Sequence, residues 1–163
     1  MSDDARMTTS WAAFAAASPE VAARGRALLE RSGIGEGLLA TVRDDAPPRI
    51  HPVHVRIVDG RLLTFVIVGS AKARDLARDG RYALHAHQDP AAPHEFQVRG
   101  RALAVTDAST RAAAAREWSF EVDDGYVLYE LSIDHAVLGD RPSADAWPPV
   151  YTSWRPTGDD ARD

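Results

Sequence analysis

Asp59-Gly60-Arg61-Leu62-Leu63-Thr64-Phe65-Val66-Ile67-Val68-Gly69-Ser70-Ala71-Lys72-Ala73-Arg74 holds a turn, a strand and the start of a helix in one run. Asp-Gly accepts the positive φ angles of a tight turn and so marks a β-hairpin. The strand after it, Arg61 to Val68, is expected to lie antiparallel to the strand before it, Arg49 to Val58, which is rich in β-branched residues. Beyond Gly69-Ser70, the segment Ala71 to Arg78 carries good helix formers and sets Ala73, Leu76 and Ala77 on one side. A short helix between strands is therefore predicted.

Working outward, Leu38 to Val42 reads as a strand and Asp44-Asp45-Ala46-Pro47-Pro48 as the turn that leads into Arg49. Upstream, Trp11, Phe14 and Ala15 share one helical face. Ser18-Pro19-Glu20 then supplies a cap, a first-turn proline and an early acid for a second helix over about Pro19 to Arg31. Downstream, Tyr82 to His87 and His94 to Val105 are strands, the latter interrupted at Gly100. A helix covers about Ala108 to Ser119, and Tyr126 to Leu138 closes the sheet. Short strands with frequent turns and few helices indicate a mainly β barrel or sandwich with helical additions, an α+β chain, and fit a parallel doubly wound sheet poorly. The tail containing Trp147, Tyr151 and Trp154 shows no regular period. The polar ends, 1–9 and 155–163, are expected to be disordered around a single domain at 10–154.

At 163 residues the chain suits one domain, and 45% hydrophobic with 26% charged residues is an ordinary globular balance. A formal charge of −5, with 19 Lys and Arg against 24 Asp and Glu, opposes a general attraction to nucleic acid. With no cysteine there is no thiolate nucleophile, disulfide or sulfur-ligated metal. No apolar run approaches the ~20 residues that span a bilayer, and the first residues lack a signal-peptide core. The expectation is a cytoplasmic protein with no membrane partner. Among the six histidines, His51 and His54 fall on opposite faces of a strand, and His85 and His87 lack a third ligand, so no metal site is expected.

The chemistry gathers at Gly69 to Arg74. Helix-start N–H groups are orphan donors with partial positive charge, and the Ser70 hydroxyl and Lys72 ammonium beside them suit a phosphate. A plain helix cap with solvated Lys72 and Arg74 fits the same residues. Arg49 and His51 share a strand face and can approach the end of that turn, supplying a second cation. The segment lacks the second glycine of a nucleophile elbow, and the chain has neither a Walker nor a Rossmann glycine pattern. Trp118, Phe120, Tyr126 and Tyr129 read as packing.

In order along the chain, Ala40-Thr41-Val42, Pro48-Arg49-Ile50-His51-Pro52-Val53, Asp59-Gly60-Arg61-Leu62, Gly69-Ser70-Ala71-Lys72-Ala73-Arg74-Asp75-Leu76, Arg81-Tyr82-Ala83-Leu84-His85 and Phe96-Gln97-Val98-Arg99-Gly100-Arg101-Ala102 resemble the pyridoxamine 5′-phosphate oxidase-like family of flavin-binding split barrels. The resemblance implies a six-stranded antiparallel split β-barrel with N-terminal and short connecting helices. It also implies a homodimer with FMN, or the deazaflavin F420, between subunits. By position, Arg49 and Lys72 would contact the phosphate, Ser70 would donate a hydroxyl, and Arg74 would add a contact. His51, Val66 and Val68 would flank the ring. Ala71 stands where the family pattern often has Arg, which removes one cation, and no counterpart of the oxidase's C-terminal substrate clamp follows Tyr126. Three functions fit: an FMN- or F420-dependent oxidoreductase acting on a small substrate; a carrier or sensor of flavin, F420 or haem without turnover; and a cofactor-free dimeric interaction protein.

Overall fold

From the N-terminus the chain forms α1 (Trp11–Ala17), α2 (Pro19–Leu29), β1 (Glu36–Arg43), β2 (Ala46–His54), β3 (Arg56–Val58), β4 (Arg61–Ile67), α3 (Ala71–Arg78), β5 (Arg81–Ala86), β6 (Glu95–Ala104), α4 (Ala108–Arg116), β7 (Tyr126–Leu131), β8 (His135–Asp140) and β9 (Val150–Trp154). The structure is a computed structural model and describes residues 8–157. Most of the two ends expected to be disordered lies outside the described residues. Thr9, within the expected N-terminal end, is tied down, its carbonyl accepting from Ile133 N at 2.8 Å.

The described residues build a split β-barrel. Their nine strands pair antiparallel in one curled sheet along the path β2-β1-β5-β6-β7-β4-β3, with β8 between β6 and β9. The hairpin at Asp59-Gly60 is present, and both residues take positive φ, 48° and 73°, as its tight turn requires. The Gly60 carbonyl also accepts from Ala12 N at 2.8 Å, which fastens α1 to the turn.

The strand count exceeds six for three physical reasons. The predicted strand Arg49 to Val58 breaks at Val55, whose N–H bonds to the Gly35 carbonyl at 3.0 Å, and the chain changes partner there. Only β3 pairs with β4; β2 pairs with β1, Thr41 opposite Arg49 and Leu39 opposite His51. The expectation that Arg49 and His51 lie on a strand beside Arg61 to Val68 is corrected accordingly. Tyr126 to Leu138 likewise breaks, at Ser132-Ile133-Asp134, into β7 and β8. The tail adds β9, paired with β8 from Asp140–Val150 to Ala136–Trp154. The predicted Asp44–Pro48 turn is shorter than expected because β2 starts at Ala46. Pro47, Pro48 and Pro52, which have no N–H to donate, are tolerated there because β2 is a sheet edge.

One core fills the barrel and extends under α1 and α2. It includes Phe14, Leu39, Leu62, Val66, Leu84, Phe96, Val98 and Leu131. Trp11 meets Phe14 edge-on at 5.3 Å, and Phe14 lies 4.9 Å from Trp154, so α1 closes onto β9. A second cluster, Leu63, Phe65, Ala114, Trp118 and Leu128, packs α4 on the other face of β4 and β7. Glu130 is buried between these layers and is paired with Arg61 at 2.7 Å; Arg61 also donates to Thr110. A buried carboxylate is costly unless paired in this way.

Candidate functional site

Strand β4 ends at Ile67, Gly69 takes φ 73°, and α3 begins at Ala71. Ser70 is the N-cap: its hydroxyl accepts from Ala73 N at 3.3 Å, and its carbonyl accepts from Arg74 N at 3.1 Å. The N–H groups of Ala71 and Lys72 remain as donors at the helix start. Removing the cap in Ser70→Ala is expected to cost about 1 kcal/mol, read as a lower melting temperature. A variant that melts with the wild type would show that the hydroxyl does no capping.

Pairing of β2 with β1, and packing of α3 against β1, bring Arg49 on β2 and Lys72 on α3 towards one another from an unexpected side. Arg49 Nη1 lies 3.7 Å from Asp75 Oδ2. Thr41, fully buried on β1, donates its hydroxyl to the same Asp75 oxygen at 2.8 Å and stands 3.3 Å from His51 Nε2. Lys72 Nζ reaches the Pro52 carbonyl at 3.4 Å. His51 is thus held between β1, α3 and the cations. Burial first, then the charges of Lys72 and Arg49, lower its pKa from the ordinary 6.5, with Asp75 opposing. Burial likewise lowers Lys72 from its ordinary 10.5.

These shifts set an expectation for pH. Because His51 titrates below its ordinary value, the folded state holds fewer protons than the unfolded chain between the folded pKa and 6.5. Its contribution to stability is complete above 6.5 and is lost as the pH falls through that window. An anion bound beside Lys72 and Arg49 would favour imidazolium and raise the His51 pKa. Titration of the His51 ring by NMR, with and without sulfate, checks this. A pKa unmoved by saturating sulfate would place the anion elsewhere.

The other candidates divide. Arg74 donates to the Gly69 carbonyl at the turn. Val66 is fully buried in the core, so its side chain is not available to a ligand, whereas Val68 is 57% exposed. A cleft of about 580 Å³ opens between the β1–β2 turn and α3. Its lining includes Arg43, Arg49, Arg74 and Arg78 together with Asp44, Asp45 and Asp75, but neither Ser70 nor Lys72. Arg78 is already paired with Asp44. Arg49 therefore stands between the cleft and the helix start.

Sequence reasoning missed Thr41 and Asp75, which hold His51 and Arg49 in place. The signal for Thr41 was a polar residue at an inward position of the strand Leu38 to Val42. It also read Phe120 and Tyr126 as packing. Their rings do touch, 5.5 Å apart, but Phe120 is 38% exposed and faces His54 edge-on at 6.2 Å. Among the described residues no three His, Asp or Glu side chains gather closely enough to hold a metal ion, and no helix is long and apolar enough to cross a membrane.

The residues present suit a phosphate-bearing group. Lys72 and Arg49, the latter paired with Asp75, lie on either side of His51 beside a capped helix start where N–H donors emerge.

No protein-family model and no curated protein matches the chain. Solved structures do. A haem-binding protein from Mycobacterium smegmatis superposes with a TM-score of 0.61 at 18% identity, over 82% of this chain and 57% of that one. The chain thus spans little more than half the length of that neighbour. A Listeria innocua protein named for pyridoxamine 5′-phosphate oxidase gives 0.54 at 19% identity, over 68% and 90%. PhzG from Burkholderia lata, solved with tetrahydrophenazine-1-carboxylic acid, gives 0.57 at 14% identity, over 85% and 92%. At these identities the likeness is one of fold. The protein has the split-barrel fold of the pyridoxamine 5′-phosphate oxidase-like proteins.

Proposed function

We propose that the protein binds a phosphorylated flavin-type cofactor, FMN with F420 as the alternative, and uses it for hydride transfer to a small substrate. The observation that carries this reading is the convergence of Arg49, His51 and Lys72 on α3, where Asp75 pairs with Arg49 and acts on His51 while Lys72 is held by the Pro52 carbonyl. Arg49 and Lys72 would hold the phosphate, with the helix-start N–H groups. Ser70, engaged as the cap, would orient that helix start and lend its hydroxyl. Val68, exposed at the strand end, would flank the ring, and Val66 would do so through its backbone. The flavin or deazaflavin supplies the redox chemistry when bound, so the chain's own task is to bind, orient and shield.

A homodimer that closes the site is part of the proposal. Leu38 and Ile50, on the outer face of β1 and β2, are 41% and 69% exposed and are candidates for its contact surface. The experiment is the absorbance spectrum of the protein purified from a host that makes both FMN and F420, followed by calorimetry with each. Bound FMN or F420 that is reduced by a nicotinamide or deazaflavin donor supports the enzyme reading. A colourless protein that ignores both cofactors overturns it. The second reading, a carrier without turnover, is favoured by the haem-binding protein among the structural neighbours. Tight cofactor binding with no reduction would select it.

A further inference from the structure

At the end of β8, one side-chain nitrogen serves two partners with opposite needs. Strand β8 stops at Asp140, and the chain returns as β9 from Val150. Arg141, the first residue of the loop between them, donates its backbone N–H to His94 Nδ1 at 3.2 Å. Asp140 Oδ1 stands 3.0 Å from the same ring nitrogen. The backbone N–H needs a lone pair on Nδ1, which the neutral ring with its hydrogen on Nε2 provides. The carboxylate needs a hydrogen there, which the imidazolium provides. One nitrogen cannot meet both demands at once.

The 141–149 loop hangs on that nitrogen. Arg141 Nε donates to the Ala146 carbonyl at 2.9 Å and Nη2 to the Ala144 carbonyl, and the guanidinium lies 5.8 Å from the centre of the Trp147 ring. The side chain of Arg141 thus gathers the loop, while its N–H ties the loop to His94 at the entry to β6. Trp147 is 75% exposed and belongs to neither core cluster, so the core does not hold this part of the chain.

The charges around His94 come from every element beside it. Asp140 also pairs with Arg24 of α2, at 2.5 Å and through the same oxygen. Glu95, next along β6, accepts from the Tyr151 hydroxyl of β9 at 3.1 Å. In the loop before His94, Asp89 pairs with Arg31 at 3.8 Å. The Arg141 guanidinium is turned to the loop carbonyls. An imidazolium at His94 therefore meets a carboxylate first, with Arg24 as its competitor.

We infer that His94 is a proton-operated latch on the 141–149 loop. Neutral, it accepts the Arg141 N–H and fastens the start of the loop to β6; protonated at Nδ1, it pairs with Asp140 and lets that N–H go. Histidine is the side chain that ordinarily changes charge between pH 5 and 8, so mild acid is the trigger.

The test is NMR of the full chain from pH 5 to 8, following the His94 ring and the Arg141 amide together. Protonation of the ring is expected to lower the protection of the Arg141 amide against hydrogen exchange, corrected for the intrinsic pH dependence of exchange, by roughly three- to tenfold, as for one net hydrogen bond. In His94→Asn the side-chain oxygen can replace Nδ1 as acceptor but does not titrate, so protection should no longer vary with pH. Constant protection of Arg141 while the ring titrates would overturn the latch. So would a ring that keeps one charge state across the range, or a His94→Asn protein that retains the wild-type response. If the asparagine variant fails to fold, the two wild-type measurements decide by themselves.

Discussion

FMN or F420 binding is expected to be lost when Lys72 and Arg49 are both replaced by alanine. Each would contribute a charge-assisted hydrogen bond to phosphate, worth about 1.5–3 kcal/mol. Losing both should weaken binding by roughly 10² to 10⁴-fold, beyond detection for a micromolar ligand. The loss goes further than two contacts, because Asp75 would keep the Thr41 hydroxyl but lose Arg49, its ion-pair partner, so that its carboxylate would oppose the phosphate. Arg78→Ala is the control. Arg78 lines the same cleft but is paired with Asp44 at its rim, so its removal should leave calorimetric binding nearly unchanged. Undiminished cofactor binding in the double variant, with the circular dichroism of the wild type, would refute the site assignment.

Gly100→Ala is expected to be the most damaging conservative change in the sheet. Gly100 sits where β6 passes from pairing with β8, through Arg99, to pairing with β7, from Ala102 onward. A methyl group there would come to 2.0 Å from the Ser132 carbonyl oxygen and 2.8 Å from its carbon. That carbonyl cannot easily retreat. It accepts from the buried Tyr82 hydroxyl at 2.8 Å, and the adjoining backbone bonds, Ser132 N to Arg101 O and Asp134 N to Arg99 O, clamp it on both sides. Overpacking against such a constraint costs about 3 kcal/mol, or roughly 6–12 °C in melting temperature for a domain of this size. A variant melting within two degrees or so of wild type would show that the crossing of β6 over Ser132 is looser than described.

The legible parts of the fold are those whose causes are local. Asp59-Gly60 makes a tight turn because neighbouring residues must take positive φ. Ala71 to Arg78 is a helix over the expected residues because a serine cap, helix-forming side chains and one apolar face coincide there. Break points were harder to read. Arg49 to Val58 has the composition of one strand, yet Val55 turns it, since its N–H is taken by Gly35 and the following residues pair with β4. Strand β9 was overlooked although Val150-Tyr151-Thr152-Ser153-Trp154 is composed of good strand formers. The surrounding prolines and the lack of a regular apolar period concealed it.

At the candidate site, residue types were legible and neighbours were not. Lys72 and Ser70 could be assigned to a helix start, and Arg49 and His51 to one strand face, from spacing alone. That these groups meet was expected, but through the wrong strand. Register along β1 and β2, not proximity to β4, brings Arg49 to Asp75 and sets His51 against Thr41. Val66 and Val68 differ in their access to a ligand because strand alternation points Val66 into the core while Val68 lies past the strand end.

By itself, then, the sequence determined the turn at Asp59-Gly60, the capped helix after Gly69 and the basic residues around it, since backbone preferences and caps act within a few residues. Only the tertiary structure decided that Asp75 pairs with Arg49 and accepts from Thr41, that Phe120 stays open beside His54, and that β6 crosses close over Ser132. Those facts depend on which distant segments pack together, and that is settled by burial of the whole core.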